Sequence, residues 1–529
     1  MQHDIAIISF FIMVLLFIKT VSQKTKISSP ILLLLGGIAI SLITQRTLFE
    51  LQPELIFLLF LPPLLFEASY GMSWHDLKFL RAPILWLSVG LVLFSMFSVA
   101  LCCHFLIPHF SWGMGFLLGA IVAPPDAVAA TSATKGLQLP RNVVTILEGE
   151  SLINDASALI AYQYALLSLT SSHISLSVIV SSFVLKSSGG ILLGLALAYF
   201  IAKVIKQTND ATTTAILSVM TPLGVFLLAE ELDISGVLAV VSCGVYLAWK
   251  TPFITTFQDR HRMRELWDVV GFLLNGLVFL FIGIQLPKLI LHFNWVQLLT
   301  MIGDGLLISL TLIAARALWI FTTASLKFLI VNRFQDYRAY LTREFYSNLL
   351  IVTWAGMRGV VSLAVALSVP VTLINGTLFA AREEIIFLTF IVISFTIVVN
   401  GLSLPKLIRW LNLANDKDHA ERSNLALHQE LFTKTNAFLN TTLRSKFPQA
   451  QLDAFIHEHK TLHHQVSELQ EGSENFAIKL QLEHEVIQYK YQLIREFYHS
   501  NLYSHESLTM VQHNLDNASL SLSSKMQLL

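Results

Sequence analysis

The segment Glu148-Gly149-Glu150-Ser151-Leu152-Ile153-Asn154-Asp155 sets three carboxylates, a hydroxyl and an amide in an otherwise apolar stretch. Apolar residues run from Val143 to Leu147 before it and from Ala156 to Leu169 after it. Such flanks read as a helix crossing a membrane, where ionisable groups are costly and mark an ion or proton pathway. At roughly 100° per residue, Glu150 and Asn154 stack one turn apart, Ser151 and Asp155 form the adjacent column, and Gly149 falls opposite. Hydroxyl, carboxylate and carbonyl oxygens are the ligands that hard cations prefer. Asp155 can hold either a proton or a metal ion. If the site crosses only when occupied, exchange follows with no covalent step.

Further acids belong to the same inventory. Glu67 lies near the end of an earlier apolar run, and Asp126 follows Pro124-Pro125 in another. With Glu148, Glu150 and Asp155 they oppose Arg316 and Arg358, a balance that favours a cation site. An amide at Asn154 either bonds another helix or orients Glu67. Glu150 reads as half of a buried ion pair, since an unpaired charge there is strongly destabilising. Arg358 and Arg316 are its candidate partners, and the expected one is Arg358. Glu148 either faces a cytoplasmic funnel or closes a polar network. Asp126 either neutralises a helix amino terminus or binds the ion through water. Backbone near Pro125 can add a carbonyl oxygen. An intramembrane aspartyl protease using Asp126 and Asp155 as a coupled dyad is the competing chemistry. The third acid at Glu67 and the interrupted helices described next favour ion exchange.

These residues need a scaffold that spans a bilayer. The 529 residues are 54% hydrophobic and 13% charged, about half the charge of an ordinary soluble chain. The chain is therefore expected to be an all-α polytopic membrane protein. Zero formal net charge gives no reason to expect nucleic acid as a partner. The three cysteines lie in apolar runs without metal-like spacing, and no cofactor is expected. Residues 5–18 lack a basic leader and a small-residue cleavage site, so they are read as the first span rather than a signal peptide.

Apolar runs long enough to cross, at ~20 residues each, number about thirteen. They cover residues 4–20, 29–44, 51–69, 82–107, 112–132, 143–169, 176–205, 211–228, 233–249, 266–286, 296–330, 345–371 and 384–411. One set of connections collects nearly all the Lys and Arg, from Lys24 to Arg409. The opposite set has Arg46, Lys288 and Arg382, with Lys186 near it. The basic side is cytoplasmic, which puts the amino terminus outside and the carboxyl tail inside. Prolines 124 and 125 interrupt the fifth run, and Gly356-Met357-Arg358-Gly359 interrupts the twelfth. Seven spans separate them. That odd offset predicts two inverted repeats joined by span 7, with the substrate site at the paired breaks, a transporter pattern already described in general terms. Residues 1–411 form the expected membrane domain. Residues 412–529 are mixed in charge with helical periodicity and read as a helical cytoplasmic tail. Most of the 17 histidines lie in that tail, which raises a sensor reading in which it reports pH.

Taken together, Phe66-Glu67, Pro125-Asp126, Glu148 to Asp155 and Gly356-Met357-Arg358-Gly359 resemble the monovalent cation/proton antiporters of the NhaP and Na+/H+ exchanger type. The resemblance covers roughly residues 4–411. It implies a transporter rather than an enzyme: a homodimer with a dimerisation domain and a moving core, working by alternating access in sodium and pH homeostasis. It also implies that Asp155 is the essential ion- and proton-binding carboxylate, with Ser151 and Glu67 as further Na+ ligands. Asn154 would orient Glu67, Glu150 would pair with a core arginine, and Arg358 matches the arginine of the second interrupted helix. Asn-Asp at 154–155 implies electroneutral exchange of Na+ or Li+ for H+, and K+/H+ exchange is the alternative. Pro125 departs from the family's usual Thr or Ser, which removes a hydroxyl but keeps a carbonyl. The expected location is a bacterial cytoplasmic membrane.

Overall fold

The computed structural model describes residues 2–25, 29–44, 53–134, 139–170, 176–208, 210–255, 257–290, 293–331, 343–373 and 376–411, with isolated positions between 433 and 522. The chain divides into two compact units, Met1–Ala414 and Asn415–Leu529. The expected helical, histidine-bearing tail falls almost wholly outside the described residues.

The first unit is built from helices. In order they are α1 (Gln2–Thr25), α2 (Ser29–Thr44), α3 (Pro53–Tyr70), α4 (Trp74–Phe79), α5 (Arg81–Leu85) and a π-helical turn (Trp86–Leu91) that continues into α6 (Val92–Leu106). Next come α7 (Trp112–Val122), α8 (Ala127–Ala133), α9 (Arg141–Ser168), α10 (Leu176–Gln207), α11 (Ala211–Glu231) and α12 (Gly236–Ile254). The unit ends with α13 (Phe257–Ile290), α14 (Trp295–Val331), α15 (Arg343–Trp354), α16 (Val360–Leu367) and α17 (Arg382–Leu411). Each expected apolar run lies mainly on one of these helices or on consecutive ones. Among the described residues, six helices are long and apolar enough to cross a membrane, and seven if α7 and α8 form one bent span. Phe17, Ile43, Leu192 and Phe200 are among the large apolar side chains left exposed on their outer faces. Apolar surface spread over so many helices fits lipid rather than water as the surrounding medium.

Several starts are dictated locally. Ser111 and Ser235 cap α7 and α12 by accepting from the amides of Met114 and Leu238, both at 3.3 Å. Asp210 caps α11, and its hydrogen bonds from the Thr213 hydroxyl and from the Thr213 and Thr212 amides hold its carboxyl below the usual range.

Two interruptions shape the interior. Proline at 124 and 125 removes two amide donors, so the α7 ladder ends at Val122 although Ala123 still has helical backbone. After the break α8 leaves at 46° to α7. The second interruption separates α15 from α16 over residues 355–359. There Gly359 has no side chain because Asp126 of the first interruption occupies the space that a Cβ would need. The two breaks therefore cross at contact distance, and the Asp126 amide donates to the Met357 carbonyl at 2.7 Å.

Apolar packing forms two main clusters. One draws on α1, α2, α6, α7, α13, α14 and α17, and the other on α3 and α10 to α12. Helix α9 joins both, with Val143, Leu147, Tyr162 and Ala165 in the first and Leu152 and Ala156 in the second. Helix α13 lies along α2 so tightly that a Cβ on Gly283 would stand 2.9 Å from the Gly37 Cα. Gly283→Ala is expected to lose about 1–3 kcal/mol of stability, because the neighbour is backbone and cannot step aside. Gly303→Ala, with nothing within 4 Å, serves as control. Thermal unfolding of both variants in detergent checks this, and equal midpoints would refute it.

Candidate functional site

The site is built on α9. Its Ser151–Asp155 column faces a cavity of about 50 Å³, and the Glu150–Asn154 column turns into the packing. Polar groups reach the cavity from four directions: Ser151 and Asp155 from α9, Pro125 and Asp126 from the first break, Asn275 from α13, and Ser362 from α16. Helix α3 adds an apolar wall that includes Leu61 and Leu65. Asp155 is 6% exposed.

Hydrogen bonds fix the first break against α9. The Asn154 Nδ2 donates to the Pro125 carbonyl at 3.2 Å, and the Ala127 amide donates to the Ser151 Oγ at 3.3 Å. Asp126 Oδ1 accepts from the amides of Val128 at 2.8 Å and Ala129 at 3.3 Å, which places its charge at the amino end of α8 while the residue also lines the cavity. Asp155, Asp126 and Ser151 thus line one small space with Pro125, and they carry the oxygen groups that hard cations prefer. Among the described residues, no group of three or more His, Cys, Asp or Glu side chains is placed to share a metal ion.

The buried ion pair differs from the expectation. Glu150 pairs with Arg316 and not with Arg358: Nη1 reaches Oε1 at 2.5 Å and Nη2 reaches Oε2 at 2.7 Å, a two-pronged fork. The Arg316 Nε donates to the Val352 carbonyl at 3.0 Å, so the arginine ties α9, α14 and α15 together. Arg358 sits within the second break, where its backbone amide donates to the Thr396 Oγ1 at 3.1 Å. Among the described residues, its buried Nε and Nη1 find no hydrogen-bond partner.

Glu67 and Asn154 also depart from what was expected. Asn154 does not orient Glu67, because its amide is turned to the Pro125 carbonyl. Glu67 does not line the cavity. Its carboxylate lies against Gly271 of α13, with Asp268 and Glu148 as its charged neighbours. Glu148 is half-buried and also stands outside the cavity. Asn275 and Ser362 were not anticipated, since a single amide or hydroxyl within an apolar run carries no pattern of its own.

Comparison with known proteins follows the same lines. A family described as "Sodium/hydrogen exchanger, transmembrane" matches residues 11–410. An uncharacterized Na+/H+ exchanger of Mycobacterium tuberculosis is 31% identical over 413 residues, covering 76% of this chain and 74% of the relative. A sodium, potassium, lithium and rubidium/H+ antiporter of Bacillus pumilus is 34% identical over 384 residues, covering 70% of this chain and 56% of that one. Among solved structures, the sodium proton antiporter MjNhaP1 of Methanocaldococcus jannaschii shares the fold. Its TM-score is 0.62 at 20% identity, over 77% of this chain and 98% of that chain.

Removing one member of a buried charge pair leaves the other uncompensated, so Arg316→Met is expected to cost about 3–5 kcal/mol. Arg316→Lys keeps the charge but loses the fork, and falls between Arg316→Met and the wild type. Arg358→Met costs less than Arg316→Met. The yield of monodisperse protein and the thermal midpoint of each variant measure this, and the reverse order for the two Met variants would contradict the pairing.

Proposed function

Because the chain belongs to the sodium/hydrogen exchanger family, and is an integral membrane protein of that kind, we propose that it exchanges Na+ or Li+ for H+ by alternating access, one cation per proton. The observation that carries this reading is the pairing of Ser151 and Asp155 on one wall of a small cavity at the crossing of two broken helices. Asp155 is the carboxylate that carries either the proton or the cation, and Ser151 ligates the cation beside it. Asp126 and the Pro125 carbonyl complete the oxygen set from the first break. Asn154 acts by holding that carbonyl in place, and the Glu150–Arg316 fork keeps α9 in register with α14. Glu67 and Glu148, outside the cavity, form an acidic approach that concentrates cations. Arg358 supplies a fixed positive charge in the second break.

Loading with a proton, or with a monovalent cation on the ionised carboxylate, leaves the same net charge at Asp155. That equality supports electroneutral exchange. The thirteen apolar runs are proposed to cross the bilayer as two inverted repeats, amino terminus outside and carboxyl tail cytoplasmic, in a homodimer within a bacterial cytoplasmic membrane. Residues 1–411 carry transport and 412–529 are regulatory. K+ is the alternative substrate, favoured by the name of the Bacillus pumilus relative, which includes potassium.

Cation-driven proton movement in sealed proteoliposomes tests the reading with Na+, Li+ and K+ in turn, the membrane voltage being set by an ionophore. Wild-type protein is expected to exchange with at least one cation at a rate independent of voltage. Asp155→Asn is expected to lose at least about 100-fold, because the carboxylate proposed to alternate between proton and cation is gone. Folded wild-type protein that moves no protons with any of the three cations would sink the transport reading.

A further inference from the structure

Among the described residues, most buried hydroxyls bond back to the preceding turn of their own helix. Ser157 donates to the Ile153 carbonyl at 3.2 Å, Ser309 to the Gly305 carbonyl at 2.7 Å, and Thr389 to the Ile385 carbonyl at 2.8 Å. Ser362 does not. Its Oγ is buried with no hydrogen-bond partner among the described residues, and the residue is 1% exposed. The cause is local. Ser362 lies in the first turn of α16, and the carbonyls it would use, three and four residues back, belong to Gly359 and Arg358 in the broken stretch. The break therefore displaces the carbonyls to which a serine in a regular helix can bond back. Leaving a hydroxyl unbonded inside a protein costs about 1–3 kcal/mol, so its retention needs a reason.

Ser95, Ser187 and Ser394 are also buried without partners, but of these four serines Ser362 alone lines the cavity that holds Asp155 and Ser151. It approaches from the second broken helix, whereas the oxygens of Ser151, Pro125 and Asp126 come from α9 and the first. We propose that Ser362 is a further cation ligand, a second hydroxyl that sets the preference among monovalent cations. The inference rests on the Asp155-centred exchange site proposed above and adds to it a contribution from the other half of the chain. Pro125 offers the cation a carbonyl but no hydroxyl, and Ser362 makes up that shortfall from across the cavity. The proton-loaded state has no need of the Ser362 oxygen, so its loss is expected to weaken cation binding more than proton binding.

The test compares wild type, Ser362→Ala, Ser362→Thr and Ser362→Cys in proteoliposomes, reading half-saturating concentration and maximal rate for Li+, Na+, K+ and Tl+. Ser362→Ala is expected to raise the half-saturating Na+ concentration by roughly three- to tenfold, the scale of one lost ligand, with maximal rate within about twofold. Its effect should differ in size between Li+, Na+ and K+. Ser362→Thr restores the hydroxyl and is expected to return most of the Na+ affinity. Ser362→Cys substitutes a soft sulfur at nearly the same volume, so its Tl+/Na+ preference should rise above that of wild type. The proposal is overturned if Ser362→Ala and Ser362→Cys both keep the wild-type ranking and half-saturation for every cation. It is equally overturned if all cations weaken by one common factor, which would mark a packing role. Should the alanine variant fail to fold, the cysteine variant's Tl+/Na+ ratio decides alone. A silent wild type would instead refute the exchange reading itself, so the two failures are separable.

Discussion

The fork between Glu150 and Arg316 is the interaction on which the interior depends. Both side chains are essentially inaccessible, at 0% and 1% exposure, and neither could be buried without the other. Two parallel hydrogen bonds satisfy the guanidinium's planar geometry, and a third to the Val352 carbonyl anchors it to α15. The pair thereby fixes the rotation of α9 about its own axis. With Glu150 held toward α14, the adjacent column of Ser151 and Asp155 has one direction left, toward the cavity. A small rotation of α9 would bury Asp155 in apolar packing and turn the site away from its other ligands.

The crossing of the two breaks adds a second constraint. Pro124 and Pro125 end one helix, and Gly359 lets the other pass against Asp126. The Asp126 amide, which a continuous helix would have bonded within its own chain, finds the Met357 carbonyl instead. Irregular backbone is tolerated at membrane depth only where protein or a cavity surrounds it, and here each break serves as part of the other's surroundings. The two segments are therefore coupled: displacement of either costs a main-chain hydrogen bond of the other.

Much of this was legible in the sequence because it is periodic or punctuated. The 100° step of a helix separated Ser151 and Asp155 from Glu150 and Asn154 before any tertiary contact was known, and the structure keeps those columns apart. Proline pairs and flanking glycines marked both interruptions. What periodicity cannot supply is the partner across space. Sequence offers Glu150 both Arg316 and the expected Arg358, and the packing of α14 on its neighbours decides for Arg316. Asn154 likewise has no acceptor fixed by its own helix, and its Nδ2 donates to a carbonyl in the first break. Glu67, near the end of α3, depended on the rotation of that helix, and its carboxylate faces α13 rather than the cavity. Ser362 and Asn275 are lone polar residues in apolar runs, so nothing in their spacing distinguishes them from packing positions.

The size of the cavity has a consequence for how a cation is chosen. At about 50 Å³, where each water needs about 10–15 Å³, it cannot hold an ion together with a full shell of about six waters. An entering cation must shed part of its hydration at the mouth, and the protein's oxygens have to replace what is removed. Li+ holds its water most tightly and K+ least, so selection is a contest between the work of dehydration and the closeness with which fixed oxygens can approach. A proton escapes that contest, because it arrives on the carboxylate as a covalent hydrogen and leaves room for a water beside it. The two substrates therefore meet different barriers at one site. The cation half of the cycle should show the steeper temperature dependence.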